Sequence, residues 1–240
     1  MRVTLAQTSP KLNRTNLEKI VSIVNELRGK SDLIVFAELS LNGYMLQDKL
    51  YEDAWVLNEL DVLKDASIGM DIVVGAAVKE DNIFRNSALY FSNGKLLSQH
   101  YKVHLPNYGM FEEARYFKSG SVFESFDSSF GKVCMLVCED LWHTSVYEEL
   151  EKQNPDIIIA LAASPARGFK SKVLEIEEQW YEIIKNVAKR CRAKLFFVNR
   201  VGFEDGLGFW GGSCIVADDG TIVHQLPRYK ETIETFNIQE

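Results

Sequence analysis

The chain has 240 residues, 46% of them hydrophobic, and its 27 Lys/Arg against 34 Asp/Glu give a formal charge of -7. That length and apolar share can bury a large core, and one domain over residues 1–240 is the expectation. An acidic balance with no Lys/Arg block lacks the electrostatic footprint of a nucleic-acid binder. The apolar start, residues 1–7, is too short for a signal peptide, and the run 157–163 is too short for a bilayer span, so a cytoplasmic protein that does not engage membranes is expected.

Residues 2–8 read as a strand. From 13 to 27, Leu17, Ile20, Val21, Val24 and Leu27 follow the helical period, and Gly29 is placed to stop the helix. A second buried strand follows at 32–37. Residues 45–65, with Met45 and Trp55, read as a loop and helix able to cover a pocket. Further strands are expected near 71–78, 132–137, 156–160 and 194–199, with helices near 144–152 and 170–192. Val173, Ile176, Trp180, Ile183, Ile184, Val187 and Cys191 make one stripe of the last helix. Asn93-Gly94 between two short strands is a hairpin signal, repeated at Asp218-Asp219-Gly220. The mixture predicts an α/β fold, with β-sheets in part antiparallel and helices on their outer faces.

Four cysteines (134, 138, 191 and 214) without secretory features read as reduced thiols. Cys134 and Cys138 have no second Cys or His pair at zinc-ligand spacing, and four residues along a strand separate them by about 13 Å, so no metal or other cofactor is expected. Cys134, Cys191 and Cys214 read as packing residues. Cys138 is different: it ends the apolar run 131–138 and is followed at once by Glu139-Asp140-Leu141-Trp142-His143. A thiol at a strand-to-turn junction suits a nucleophile, provided a base takes its proton. Glu38, at the end of the strand 32–37, could be that base. Lys102, with the backbone N–H after Cys138, could face the oxyanion of acyl transfer. In isolation Glu38 would read as a solvated strand end and Lys102 as a surface cation. His104 reads as loop support and His143 as a cap for the following helix. Trp142, Trp180 and Trp210 read as core or pocket wall.

Order and surroundings sharpen this. Phe36-Ala-Glu38-Leu-Ser-Leu-Asn-Gly-Tyr44, Tyr101-Lys102-Val-His-Leu-Pro106-Asn-Tyr108-Gly-Met-Phe111-Glu-Glu113 and Val137-Cys138-Glu139-Asp140-Leu-Trp142 closely resemble the three catalytic blocks of the nitrilase (carbon–nitrogen hydrolase) superfamily. The resemblance runs nearly end to end and includes Asn199-Arg-Val-Gly202 and Phe209-Trp-Gly211-Gly212-Ser213. Within the superfamily, the Lys102 and Cys138 blocks look most like the glutaminase domain of glutamine-dependent NAD synthetase.

The resemblance implies a four-layer α-β-β-α sandwich. Glu38 would be general base, Lys102 would stabilise the tetrahedral intermediate, and Cys138 would form a thioester with loss of ammonia. Glu113 would orient the lysine and substrate or assist proton transfer. Tyr44, Tyr108 and Phe111 would line the pocket, Glu139 would meet an α-ammonium, Ser164 would contact glutamine, and Lys170 matches a cationic position six residues later. The chain has no Ser-Gly-Gly-x-Asp-Ser loop and no room for an ATP-dependent domain, so it is not expected to make NAD itself. The partners implied are a small-molecule amide, an ammonia-accepting synthetase and a second copy in a homo-oligomer. Alternative readings are an ω-amidase, an N-carbamoyl amine hydrolase, a nitrilase, or a non-catalytic glutaminase-like subunit of a synthetase.

Overall fold

The computed structural model describes residues 1–238. In chain order the strands are β1 (Arg2–Gln7), β2 (Leu33–Phe36), β3 (Asp71–Glu80), β4 (Ile83–Ser92), β5 (Lys95–Tyr101), β6 (Ser125–Ser128), β7 (Gly131–Val137) and β8 (Ile157–Ala162). They continue with β9 (Phe169–Lys170), β10 (Val173–Leu174), β11 (Lys194–Asn199), β12 (Val201–Glu204), β13 (Leu207–Trp210), β14 (Cys214–Val216), β15 (Ile222–Gln225) and β16 (Thr232–Asn237). The helices are α1 (Asn16–Leu27), α2 (Leu50–Asp53), α3 (Asp61–Ala66), α4 (Glu113–Tyr116), α5 (Thr144–Gln153) and α6 (Glu175–Cys191).

Two six-stranded sheets, ordered β16-β1-β2-β3-β4-β5 and β15-β14-β11-β8-β7-β6, stack face to face. The strand period of two explains how. On β7, Val133, Met135 and Val137 face the other sheet, while Cys134 and Leu136 face α5 and α6. On β2, Leu33 and Val35 point into the inter-sheet core, while Ile34 and Phe36 pack under α1 and α3. Strands buried on both faces are therefore near-continuous apolar runs, and the amphipathic helices close the outside. The result is the expected α-β-β-α sandwich. Cys134, Cys191 and Cys214 are buried in the layer between the second sheet and its helices.

Three local differences from the sequence reading have physical causes. The last helix begins at Glu175 rather than 170, because Gly168 (φ +73°) and Ser171 (φ +58°) turn the chain left-handed and β9 pairs with β10. The 45–65 segment divides: Trp55, Leu60 and Leu63 pack on the outer face of the first sheet, while Met45, Leu46, Gln47 and Leu50 line a cavity together with Tyr44, Phe111 and Glu113. Residues 232–237, to which the sequence reading assigned no element, add an antiparallel edge to β1. Among the described residues, no helix is long and apolar enough to cross a membrane.

Candidate active site

The central strands β1-β2-β3 and β7-β8-β11 run parallel within their sheets, so their C-terminal ends collect on one side, where α/β sheets form their crevices. Glu38 follows β2, Lys102 follows β5, Cys138 follows β7, and Ala163-Ser164 follows β8. Each sequence block thus delivers its polar residue to the same crevice.

Lys102 is 1% exposed and Glu38 is fully buried. The ammonium sits between two carboxylates, 2.8 Å from Glu38 Oε1 and 2.8 Å from Glu113 Oε1. Glu38 Oε1 also accepts from Asn86 Nδ2 at 2.7 Å, and its Oε2 accepts from the Ala163 backbone N–H at 2.8 Å. Glu113 Oε1 accepts from the Tyr44 hydroxyl at 2.5 Å. A buried charge is tolerable only when paired and hydrogen-bonded, and this cluster meets that condition. Burial works against the Lys102 charge, but Glu113, Glu38 and Cys138 outweigh it and hold its pKa well above the ordinary value. Burial, with Glu38 adding to it against the pull of Lys102, pushes Glu113 up to about 7.

Cys138 opens a five-residue 3₁₀ turn with φ +46°, a left-handed conformation that a residue with a side chain adopts at a cost. Asp140 holds the turn. Its Oδ2 accepts from Val137 N at 3.0 Å and lies 2.8 Å from His100 Nε2, and its Oδ1 accepts from the amides of Val103 and His104 at 3.1 and 2.9 Å. One fully buried carboxylate thereby ties the Cys138 turn to the segment following Lys102. Burial, then the charge of Glu38, push the thiol pKa well above the ordinary value against the opposing Lys102 ammonium. These influences favour the neutral thiol at Cys138, and a thiol in that form attacks a carbonyl carbon only if a neighbouring group takes its proton.

A cavity of about 190 Å³ opens over Cys138. Of the expected lining residues, Tyr44, Tyr108, Phe111, Glu139 and Ser164 are all in its wall; Lys170 is not. Lys170 is 73% exposed and ion-pairs with Glu175, so that expectation is corrected: the β9–β10 hairpin carries it outward, and Arg167 is the cation in the wall. The Arg167 guanidinium stands 5.2 Å from the Phe111 ring centre. Glu139 accepts from the Tyr108 hydroxyl at 2.8 Å. The Ser164 hydroxyl oxygen accepts from Trp180 Nε1 at 2.9 Å and Trp210 Nε1 at 3.2 Å, which leaves its O–H to donate. Asn199 fixes this segment, since its Oδ1 accepts from Ser164 N at 2.8 Å.

Asn86, Asp140, Arg167 and Asn199 were not singled out from sequence as site residues. Asp140 alone had a signal, its place two residues after the thiol. His143 occupies the position before α5 but makes no side-chain cap; its ring stacks on His104 with centres 3.7 Å apart. Among the described residues no group of three or more His, Cys, Asp or Glu is arranged to hold a metal ion.

Comparison with known proteins shows the family and the fold. Residues 2–240 match the family model described as carbon-nitrogen hydrolase. A glutamine-dependent NAD(+) synthetase of Acinetobacter baylyi is 31% identical over all of this chain and 44% of its own length. The structure of a glutamine-dependent NAD+ synthetase from Acinetobacter baumannii superposes with a TM-score of 0.83 at 29% identity, covering 98% of this chain and 44% of that one. A carbon-nitrogen hydrolase from Helicobacter pylori has the same fold, with a TM-score of 0.87 at 22% identity over 97% of this chain and 87% of its own. The chain thus spans less than half the length of the synthetases it matches. With the fold, the order of the blocks and the family match in agreement, this chain belongs to the carbon-nitrogen hydrolase family, the nitrilase superfamily, and is a hydrolase of carbon–nitrogen bonds.

Proposed function

We propose that the chain hydrolyses a small carboxamide carrying an α-amino-acid head group, glutamine or a similar compound, through a thioester on Cys138. The observation that carries this reading is the Lys102 ammonium clasped between Glu38 and Glu113 while Cys138 floors a cavity walled by both Glu139 and Arg167. A zwitterionic head group needs one charge of each sign, and Ser164 adds a hydroxyl donor.

Cys138 Sγ attacks the amide carbon as its proton passes to Glu38, and the oxyanion is stabilised by Lys102 and the backbone N–H following Cys138. An amine leaves readily only when protonated, so Glu38 returns the proton to nitrogen and ammonia departs. Glu38 then takes a proton from water as its oxygen adds to the thioester. Collapse breaks the C–S bond, restores the thiol and releases the carboxylic acid. Amide plus water is thereby converted to acid plus ammonia. The synthetase relatives are glutamine-dependent by name, and the proposal extends to this chain as a source of ammonia for a synthetase reaction.

Ammonia release from glutamine and other small amides tests the reading. Cys138→Ala and Cys138→Ser should abolish turnover with the fold intact, whereas Cys134→Ser, altering a residue on the helix-facing side of β7, should be mild. Substantial turnover by Cys138→Ala would rule the mechanism out.

A further inference from the structure

The segment that carries Tyr44 is anchored from the far end of the chain. Gly43 turns left-handed at φ +82°, and a Cβ there would lie 2.9 Å from both Glu204 Oε2 and the Lys11 carbonyl, so the chain passes tightly over the end of β12, beside the turn of the β12–β13 hairpin. The two amides that follow, Tyr44 N and Met45 N, both donate to Glu204 Oε1, at 2.8 and 2.7 Å. The other oxygen of Glu204 accepts from Arg200 Nη1 at 2.8 Å, and Arg200 Nη2 donates to the Pro10 carbonyl at 3.1 Å. Arg200 is 1% exposed, and its guanidinium stands 4.1 Å from the Phe209 ring centre.

A buried ion pair seldom adds net stability over an apolar replacement, so its orientation is the informative feature. This pair reaches Tyr44 twice, through the two amides and through Phe209, whose ring meets the Tyr44 ring edge-on at 6.2 Å. Tyr44 in turn walls the cavity and donates its hydroxyl to Glu113. We infer that Arg200 and Glu204 are positioning residues that hold Tyr44 where its hydroxyl meets Glu113 and its ring bounds the cavity. The inference rests on the reading of Glu113 and Lys102 as reaction machinery.

Glu113 faces Lys102, Glu38 and Tyr44, and its charge bears on Cys138. Loss of the Tyr44 donor raises the pH at which Glu113 ionises. Two pH profiles separate the inference from the functional proposal: kcat/KM for the best amide, and the rate of Cys138 alkylation by iodoacetamide, followed by mass spectrometry and independent of any substrate. Tyr44→Phe and Glu204→Gln are each expected to move the acid limb of both profiles upward by about one pH unit, the effect of one lost hydrogen bond to a carboxylate. The double variant should move it no further than Tyr44→Phe. Arg200→Gln should give the same shift, and Arg200→Lys, which keeps a cation beside Glu204, should reverse most of it. If Glu204→Gln does not fold, Glu204→Asp, which withdraws the oxygen by one methylene, takes its place with the same expectation. A rate lowered equally at every pH, or a shift adding fully to that of Tyr44→Phe, would overturn the inference. Absence of amide turnover in the wild type would overturn the functional proposal while the alkylation profile still decides this one.

Discussion

Gly75 lies so close beneath Glu38 that a Cβ built on it would stand 2.7 Å from the Glu38 Cα, as well as 2.3 Å from Leu39 N and 2.5 Å from the Ala37 carbonyl. These are backbone atoms, which cannot swing aside. Leu39 is itself left-handed at φ +49°, so the turn presenting Glu38 is pressed against β3 and reversed within one residue. Gly75→Ala should therefore displace Glu38 relative to Lys102, costing about 1–3 kcal/mol of stability by overpacking and lowering kcat at least tenfold. Thermal melting and initial rates on the same preparation check this; a variant with wild-type kcat would show that the close approach does not set the position of Glu38.

Lys102→Ala should cost more than the transition-state stabilisation of about 3–4 kcal/mol expected of a lost oxyanion donor. It also leaves Glu38 and Glu113 buried without their shared cation, and removing one partner of a buried pair typically costs about 3–5 kcal/mol of stability. Lys102→Ala combined with Glu113→Gln should recover part of the melting temperature and none of the activity. Equal melting temperatures for single and double variants would show that the two carboxylates do not depend on the lysine for stability.

The contrast between Lys102 and Asn86 shows what was legible in the sequence. Glu38 and Cys138 end buried apolar runs, so the change to polar chemistry is visible locally, whereas Lys102 follows a largely polar, half-exposed strand and is tied to them by the chain-wide resemblance. Asn86 lies within β4, amid an ordinary strand pattern, and reaches Glu38 and Glu113 only because of its register against β3 and β5. Such partnerships depend on sheet pairing that one sequence does not display. The same limit explains Arg167 and Lys170: a helical stripe beginning at Val173 reads smoothly back to 170, but the positive φ values at Gly168 and Ser171 reorient the segment and exchange which cation faces the cavity.

Activity should fall as the pH drops through about 7, the value to which burial pushes Glu113. Above it, Glu113 is ionised and shares the Lys102 charge with Glu38. Below it, Glu113 takes up a proton and no longer shares the ammonium, which then pairs with Glu38 alone and, on the proposed mechanism, holds that carboxylate from the thiol proton. The acid limb of kcat/KM for the best amide should accordingly lie near neutrality rather than in the ordinary carboxylate range. Glu113→Gln, which cannot titrate, should be slower at pH 8 and lose that limb. An unchanged limb in Glu113→Gln would assign it to another group.

Selection for an amino-acid head group is the most discriminating prediction, because it separates glutamine hydrolysis from general small-amide hydrolysis in the same cavity. Glu139 and Arg167 both stand in the wall, so each should meet the opposite charge of a zwitterion, and a hydrogen bond to a charged group is worth about 1.5–3 kcal/mol, or about 10–150-fold in affinity. Glu139→Ala and Arg167→Ala should each raise KM for glutamine by about that factor and leave KM for butyramide within a few-fold. Lys170→Ala should change neither, since Lys170 points to solvent and pairs with Glu175. Ammonia release from the two amides by the four proteins reads this directly. A wild type that prefers butyramide, or variants that weaken both amides equally, would leave a hydrolase of small neutral amides. A strong effect of Lys170→Ala with none from Arg167→Ala would instead return the carboxylate contact to the β9–β10 hairpin, and would require that hairpin to fold inward when substrate binds.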